Sequence, residues 1–205
     1  MDTNQILLAS SLILWCIIHS VMIDNKIINI IENILDSNFR FYRMFHNIFS
    51  TITLLIIILF AYSIPNVLIF RWDGYLIIIQ ALLIVIGVFF IAAGSKNYNF
   101  LQLAGIQQIL NKSVHKSKSG KLRTGGILKV TRHPWYLAVL ILLWARELNS
   151  TSIIINIIFS IYLVVGTYLE EQKLKIEFGE TYVEYQKEVS MLFPIKWLKS
   201  IFKNR

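Results

Sequence analysis

Arg132-His133-Pro134-Trp135-Tyr136 places a cation, an imidazole, a rigid proline and two aromatic rings in five consecutive residues. Pro134 suits the first position of a helix, where a missing N–H costs nothing, and it pushes His133 toward an extended conformation. Just upstream runs Gly120-Lys121-Leu122-Arg123-Thr124-Gly125-Gly126. Open N–H groups at such a helix start, beside paired glycines, can hold a carboxylate. A plain helix cap next to an interfacial arginine and histidine explains the same residues equally well. A second signal is the pair Glu170-Glu171, which directly follows a long apolar run. Two acids there are costly if buried and ordinary on a solvated helix face. If the two segments meet, a carboxylate, an imidazole, aromatic rings and backbone donors together suit a zwitterionic cofactor that bears a cation.

Other residues point to different chemistry. His19 and His46 each lie near one end of an apolar run and fit axial ligands of a b-type haem. Hydrogen-bonded interfacial histidines fit as well, and a non-catalytic membrane accessory needs neither site. Cys16 is the one cysteine, so no intrachain disulfide exists, and a buried thiol here is a small hydrophobe. Apart from the haem alternative, no metal centre is expected.

The elements that must position these residues are apolar. The chain has 205 residues, 56% of them hydrophobic and only 16% charged. Its mean hydropathy is +0.60. These values argue against a soluble enzyme, a disordered chain and a collagen-like fibre. Five apolar runs, at about 6–23, 45–64, 75–93, 134–148 and 152–169, predict an all-α polytopic membrane helix bundle. A barrel strand would alternate apolar and polar residues, and these runs do not. The N-terminus has no basic n-region, so the first run is expected to be a retained helix. The fourth run is short: fifteen residues give roughly 22 Å against a hydrocarbon core of about 30 Å. It ends in Arg146-Glu147, which predicts a tight hairpin into the fifth run, with Arg146 reaching the interface.

Charge sets the orientation. The formal net charge is +8, and no acid occurs between Asp73 and Glu147. A basic stretch of that kind serves nucleic acid or a loop between membrane helices, and the flanking spans favour the loop. Segments 24–44, 94–133 and 170–205 carry 18 of the 20 lysines and arginines, which predicts a cytoplasmic C-terminus. Within 24–44, Ile27, Ile30, Ile31, Ile34 and Leu35 recur at helical spacing, as in an interfacial amphipathic helix. Beyond the fifth run a charged helix should continue to Gly179. A short helix over about 180–189 should then place Tyr182, Tyr185 and Val189 on one face. The tail from Lys196 to Lys203 mixes aromatics and cations, as suits a headgroup surface.

The ordered elements Arg132-His133-Pro134-Trp135-Tyr136, Glu170-Glu171-Gln172-Lys173-Leu174 and Phe178-Gly179-Glu180-Thr181-Tyr182 with Tyr185 resemble the C-terminal half of the isoprenylcysteine carboxyl methyltransferase superfamily. Trp15, His19-Ser20, Tyr42-Arg43, Asn47, Phe100, Gly105 and Gln107 resemble its methanethiol S-methyltransferase and NnrU-type branch. The resemblance implies one membrane methyltransferase domain over 1–205, with a three-helix part at 1–93 and a cofactor-binding half at 94–205. It implies S-adenosyl-L-methionine as cofactor, a small-molecule or lipid-like methyl acceptor, a prokaryotic cytoplasmic membrane as location, and no nucleic-acid partner. The cofactor contacts carried over by position are Gly120, Lys121, Leu122, Arg123, Leu128, His133, Pro134, Trp135, Tyr136 and Glu170. Leu128 stands where the family often has tyrosine. Gly166 stands where the prenylcysteine enzymes place a substrate arginine, which favours a thiol over a farnesylcysteine carboxylate unless Arg123 or Arg132 substitutes, and a phospholipid amine is the next alternative.

Overall fold

The computed structural model describes residues 2–110 and 121–203. Its helices are α1 (Thr3–Met22), α2 (Asn25–Leu35), α3 (Tyr42–Ser63), α4 (Leu76–Ser95), α5 (Phe100–Leu103), α6 (Ile106–Leu110), α7 (Pro134–Trp144), α8 (Ser150–Phe178), α9 (Glu180–Glu188) and α10 (Ile195–Lys203). Strands among the described residues are limited to β1 (Leu68–Phe70) and β2 (Leu148–Asn149). The protein is therefore all-α and polytopic, as expected. Helices α1, α3, α4 and α8 are long and apolar enough to cross a membrane. Isoleucine is a middling helix former in water, yet these isoleucine-rich runs are helical. Lipid offers no partner for an open backbone, so internal hydrogen bonding overrides propensity.

The helix ends follow local chemistry. Asp2 caps α1 by accepting from the Gln5 N–H at 2.8 Å, and the Gln5 side chain accepts from the Asp2 N–H at 3.2 Å. Asp24 accepts from the Lys26 N–H and restarts the chain as α2, the expected amphipathic helix. Helix α3 stops at Ile64, which is extended ahead of Pro65. Helix α8 runs past its apolar part to Phe178, where Gly179 at φ +57° ends it.

The described residues form two compact units. One holds α1, α2, α3, α5, α6 and the start of α8 through Ile158. Leu8, Leu12 and Cys16, four residues apart, form the buried stripe of α1. The Trp15 indole donates to Ser50 O and Thr53 Oγ1 of α3, and the Tyr42 hydroxyl donates to Met22 O. Gly105, at φ +84°, lies against the α3 backbone, where an added Cβ would stand 2.7 Å from Met44 N. Asn149 and Ser152 cap each other's backbone at the start of α8.

The other unit holds α4, α7, α8 from Phe159 onward, α9 and α10. Gly87 and Gly94 mark the face of α4 that meets α7. A Cβ on Gly87 would lie 2.7 Å from Leu142, and one on Gly94 would lie 2.6 Å from the Trp135 ring. Small residues one heptad apart bring helices close where no hydrophobic effect acts between them. Helix α7 ends at Trp144, sooner than the sequence reading had it. The carbonyls just beyond it are met by side chains: Gln80 donates to Ala145 O and Trp72 to Arg146 O, while Arg71 pairs with Glu147 at 3.1 Å. Those contacts satisfy the two carbonyls at the turn.

Gly94→Ala should lower stability by about 1–3 kcal/mol, because Trp135 cannot move aside without losing its own contacts. Gly166 has nothing within 4 Å of an added Cβ. Gly166→Ala should be neutral or mildly stabilising. Unfolding of both variants in the same detergent checks the contrast.

Candidate functional site

The site forms within the second unit. Two extended backbone bonds set it up: the Arg132 N–H donates to Ser190 O at 3.0 Å and the His133 N–H to Met191 O at 3.2 Å. The Thr131 hydroxyl also donates to Met191 O. These N–H groups are thus consumed by the chain itself. Pro134 then starts α7 at its first position, as its missing donor predicts.

Arg132 and Glu171 form a buried ion pair. Arg132 Nε and one terminal nitrogen each lie 2.6 Å from Glu171 Oε1. Their side chains keep only 7% and 6% exposure, so each charge depends on the other. Other groups complete the shell of the carboxylate. His133 Nε2 lies 3.2 Å from Oε1, the Tyr182 hydroxyl donates to Oε1 at 3.3 Å, and Gln186 Nε2 donates to Oε2 at 2.7 Å. The other terminal nitrogen of Arg132 donates to Gln186 O and Val189 O at the end of α9. Helix α9 earns its place by its apolar face: Tyr182, Tyr185 and Val189 pack with Leu122, Leu174 and Phe178. The Tyr185 hydroxyl donates to Leu128 O at 2.5 Å. Burial pushes the Tyr185 phenol up to about 12 and that of Tyr182 upward as well, so both remain neutral donors.

Glu170 has a different environment. Its carboxylate is half-buried, with 38% exposure, and lies 3.8 Å from His133 Nδ1. It also faces the Tyr136 hydroxyl on α7. Tyr98 belongs to the same cluster. Its phenol is pushed up by burial and by the Glu170 charge, and its ring packs on Trp135 at 4.3 Å between centroids. Trp135 is fixed by donating its indole N–H to Ile91 O. The His133 ring meets Tyr136 edge-on at 5.6 Å. An ionised Glu171 can only accept, so His133 faces it as a donor through Nε2, and the Glu170 carboxylate lies beyond its Nδ1.

The sequence-predicted residues separate accordingly. His133, Trp135, Tyr136 and Glu170 come together. Pro134 is buried beneath them against Gly94. Leu128 and Leu122 are packing partners of α9 rather than exposed contacts. Lys121 and Arg123 are exposed, with Arg123 donating to Asn97 O. Gly120 lies outside the described residues. Sequence reasoning missed Tyr98 and the structural role of Glu171. The role of Glu171 had a signal: Leu163, Thr167, Glu171, Leu174 and Phe178 recur at helical spacing along one face of α8, and Thr167 is fully buried. Tyr98 had none.

His19 and His46 meet within the first unit. Their ring centroids are 4.9 Å apart, and His19 stacks on Trp15. Axial haem ligands need an iron between them, about 2 Å from each nitrogen. Rings packed directly on one another leave no such gap. Among the described residues, no group of three or more His, Cys, Asp or Glu is placed to hold a metal ion.

The two adjacent glutamates should therefore respond differently to one substitution. Glu171→Gln should cost on the order of 3 kcal/mol, since Arg132 keeps a buried charge without its partner. Glu170→Gln should stay within about 0.5 kcal/mol of the parent. Denaturation of the two variants side by side measures the difference.

Comparison with known proteins adds the relatives. The family model described as NnrU protein matches residues 7–188. The methanethiol S-methyltransferase of Pseudomonas deceptionensis is 38% identical over 95 residues, 45% of this chain and 36% of that protein. Methanethiol S-methyltransferase 1 of Bradyrhizobium diazoefficiens is 33% identical over 105 residues, 50% of this chain and 36% of that protein. The methanethiol S-methyltransferase of Crocosphaera subtropica is 28% identical over 104 residues, 50% of this chain and 41% of that protein. The matched part thus spans little more than a third of the first two relatives. No solved structure matches the chain. The family match runs from α1 through α9, across the Arg132–Glu171 pair and the Glu170 cluster alike, and the chain belongs to the NnrU protein family.

Proposed function

We propose that this protein is an S-adenosylmethionine-dependent membrane methyltransferase that acts on a small or lipophilic thiol. The observation that carries the reading is the division of labour between Glu171 and Glu170. Glu171 is sealed by Arg132, His133, Tyr182 and Gln186, whereas Glu170 is left half-buried among His133, Tyr136 and Tyr98. A carboxylate beside aromatic rings suits a ligand that carries both an ammonium and a sulfonium. The named activity of the partial relatives is in keeping with it.

The roles follow from the geometry. Glu170 would accept hydrogen bonds from the cofactor's ammonium or a ribose hydroxyl. Tyr98, Trp135 and Tyr136 would present ring faces and edges to its cation. His133, held on Nε2 by Glu171, would shape the cofactor site beside Glu170 rather than act as a base. Lys121 and Arg123 are exposed cations suited to the cofactor's carboxylate. When bound, S-adenosylmethionine supplies the electrophilic methyl group, so the protein's task is to position the reactants and exclude water.

The acceptor is read from the arginines. A carboxylate substrate in a membrane is best held by a bidentate guanidinium. Gly166 provides none, and Arg132 is committed to Glu171. A thiol needs no such clamp and becomes nucleophilic on losing one proton.

Purified protein should transfer radiolabelled methyl groups to a small alkyl thiol in preference to a farnesylated cysteine or phosphatidylethanolamine offered in parallel. Turnover of the farnesylated cysteine alone would overturn the thiol assignment. Glu170→Gln should weaken binding of S-adenosylmethionine about ten- to a hundredfold, as expected for loss of a charged hydrogen bond. Unchanged affinity in calorimetry would remove Glu170 from the site.

A further inference from the structure

Helix α10 is sorted cleanly around its axis. At 100° per residue, Lys196, Lys199, Ser200 and Lys203 occupy one side. Trp197, Ile201, Leu198, Phe202 and Ile195 occupy the other. Yet the protein covers neither side: every residue from Ile195 to Lys203 is exposed, with Phe202 at 72% and Ile195 at 55%. Phe193, just before the helix, is 60% exposed and extends the apolar strip. Helix α10 itself carries no acid, and among the described residues none of its lysines is ion-paired. A helix of three lysines opposite an open aromatic and aliphatic face matches one environment, the boundary between anionic headgroups and acyl chains.

This helix is also tied to the Glu171 shell. Lys196 Nζ donates to Gln186 O at 2.7 Å and Lys187 O at 2.8 Å, closing the last turn of α9. The Lys196 N–H donates to Ser190 Oγ. Gln186 in turn donates to Glu171, and Ser190 O accepts the Arg132 N–H. Whatever seats α10 therefore bears on both partners of the buried ion pair.

We propose that α10 is a docking surface for anionic phospholipid headgroups, and that its seating in the leaflet holds α9 against Glu171. Lys199 and Lys203 meet the headgroup phosphates, Trp197 and the aliphatic residues enter the acyl boundary, and Lys196 stays on α9. The proposal does not depend on methyl transfer, since its readouts are lipid contact and stability.

The test uses the full chain in nanodiscs of phosphatidylcholine alone or of phosphatidylcholine mixed equally with phosphatidylglycerol. A fluorophore is attached at Phe202→Cys in a Cys16→Ala background, and bromine-labelled acyl chains serve as quencher. The expected result is stronger quenching and a melting temperature several degrees higher with phosphatidylglycerol. High salt should diminish both effects. Lys199→Gln with Lys203→Gln should lose the phosphatidylglycerol gain while melting like the parent in phosphatidylcholine alone. Equal quenching and equal melting in the two lipids would overturn the proposal, as would a double variant that keeps the full gain. Quenching that vanishes only in nanodiscs holding two chains would assign the apolar face to a second copy and overturn it too.

Discussion

A buried arginine and glutamate, 39 residues apart in sequence, organise the candidate site. Neither charge is tolerable alone at 6–7% exposure. Everything around the pair reads as compensation. Tyr182 and Gln186 reach in from α9, His133 fills the remaining side of the carboxylate, and the carbonyls of Gln186 and Val189 take the outward donors of Arg132. The loop before α7, the charged end of α8 and helix α9 are thereby fixed to one another by a single charge.

That arrangement explains why two neighbouring glutamates do different work. Successive residues on a helix point about 100° apart. Glu171 falls on the stripe with Thr167 and Leu174, so it is enclosed. Glu170 falls on the flank, beside Tyr136 and Tyr98, so it stays half-exposed. His133 lies against both carboxylates and links the enclosed one to the half-exposed one. An arginine spent on Glu171 is also unavailable to clamp an anionic ligand.

Much of this was legible in the residues themselves. The membrane helices follow from apolar runs, because lipid permits only closed backbone bonding. Pro134 placed the start of α7, and Gly179 placed the break between α8 and α9. The face formed by Tyr182, Tyr185 and Val189 was visible in their spacing. Three things were hidden. The early end of α7 comes with Gln80 and Trp72 donating to the carbonyls just beyond it, contacts made by distant segments. Tyr98 lies outside every motif and joins the cluster through Trp135. The N–H groups of Arg132 and His133, just before α7, are taken by Ser190 and Met191, and no local pattern foretells that pairing.

The most direct test of this account is a double-mutant cycle on Arg132 and Glu171, read by reversible unfolding in mixed micelles. Arg132→Met and Glu171→Leu should each be strongly destabilising, because each leaves an unpartnered buried charge. The double variant should recover much of the loss, giving a coupling of about 1–3 kcal/mol or more. Losses that simply add, with coupling near zero, would contradict the claim that this ion pair organises the site.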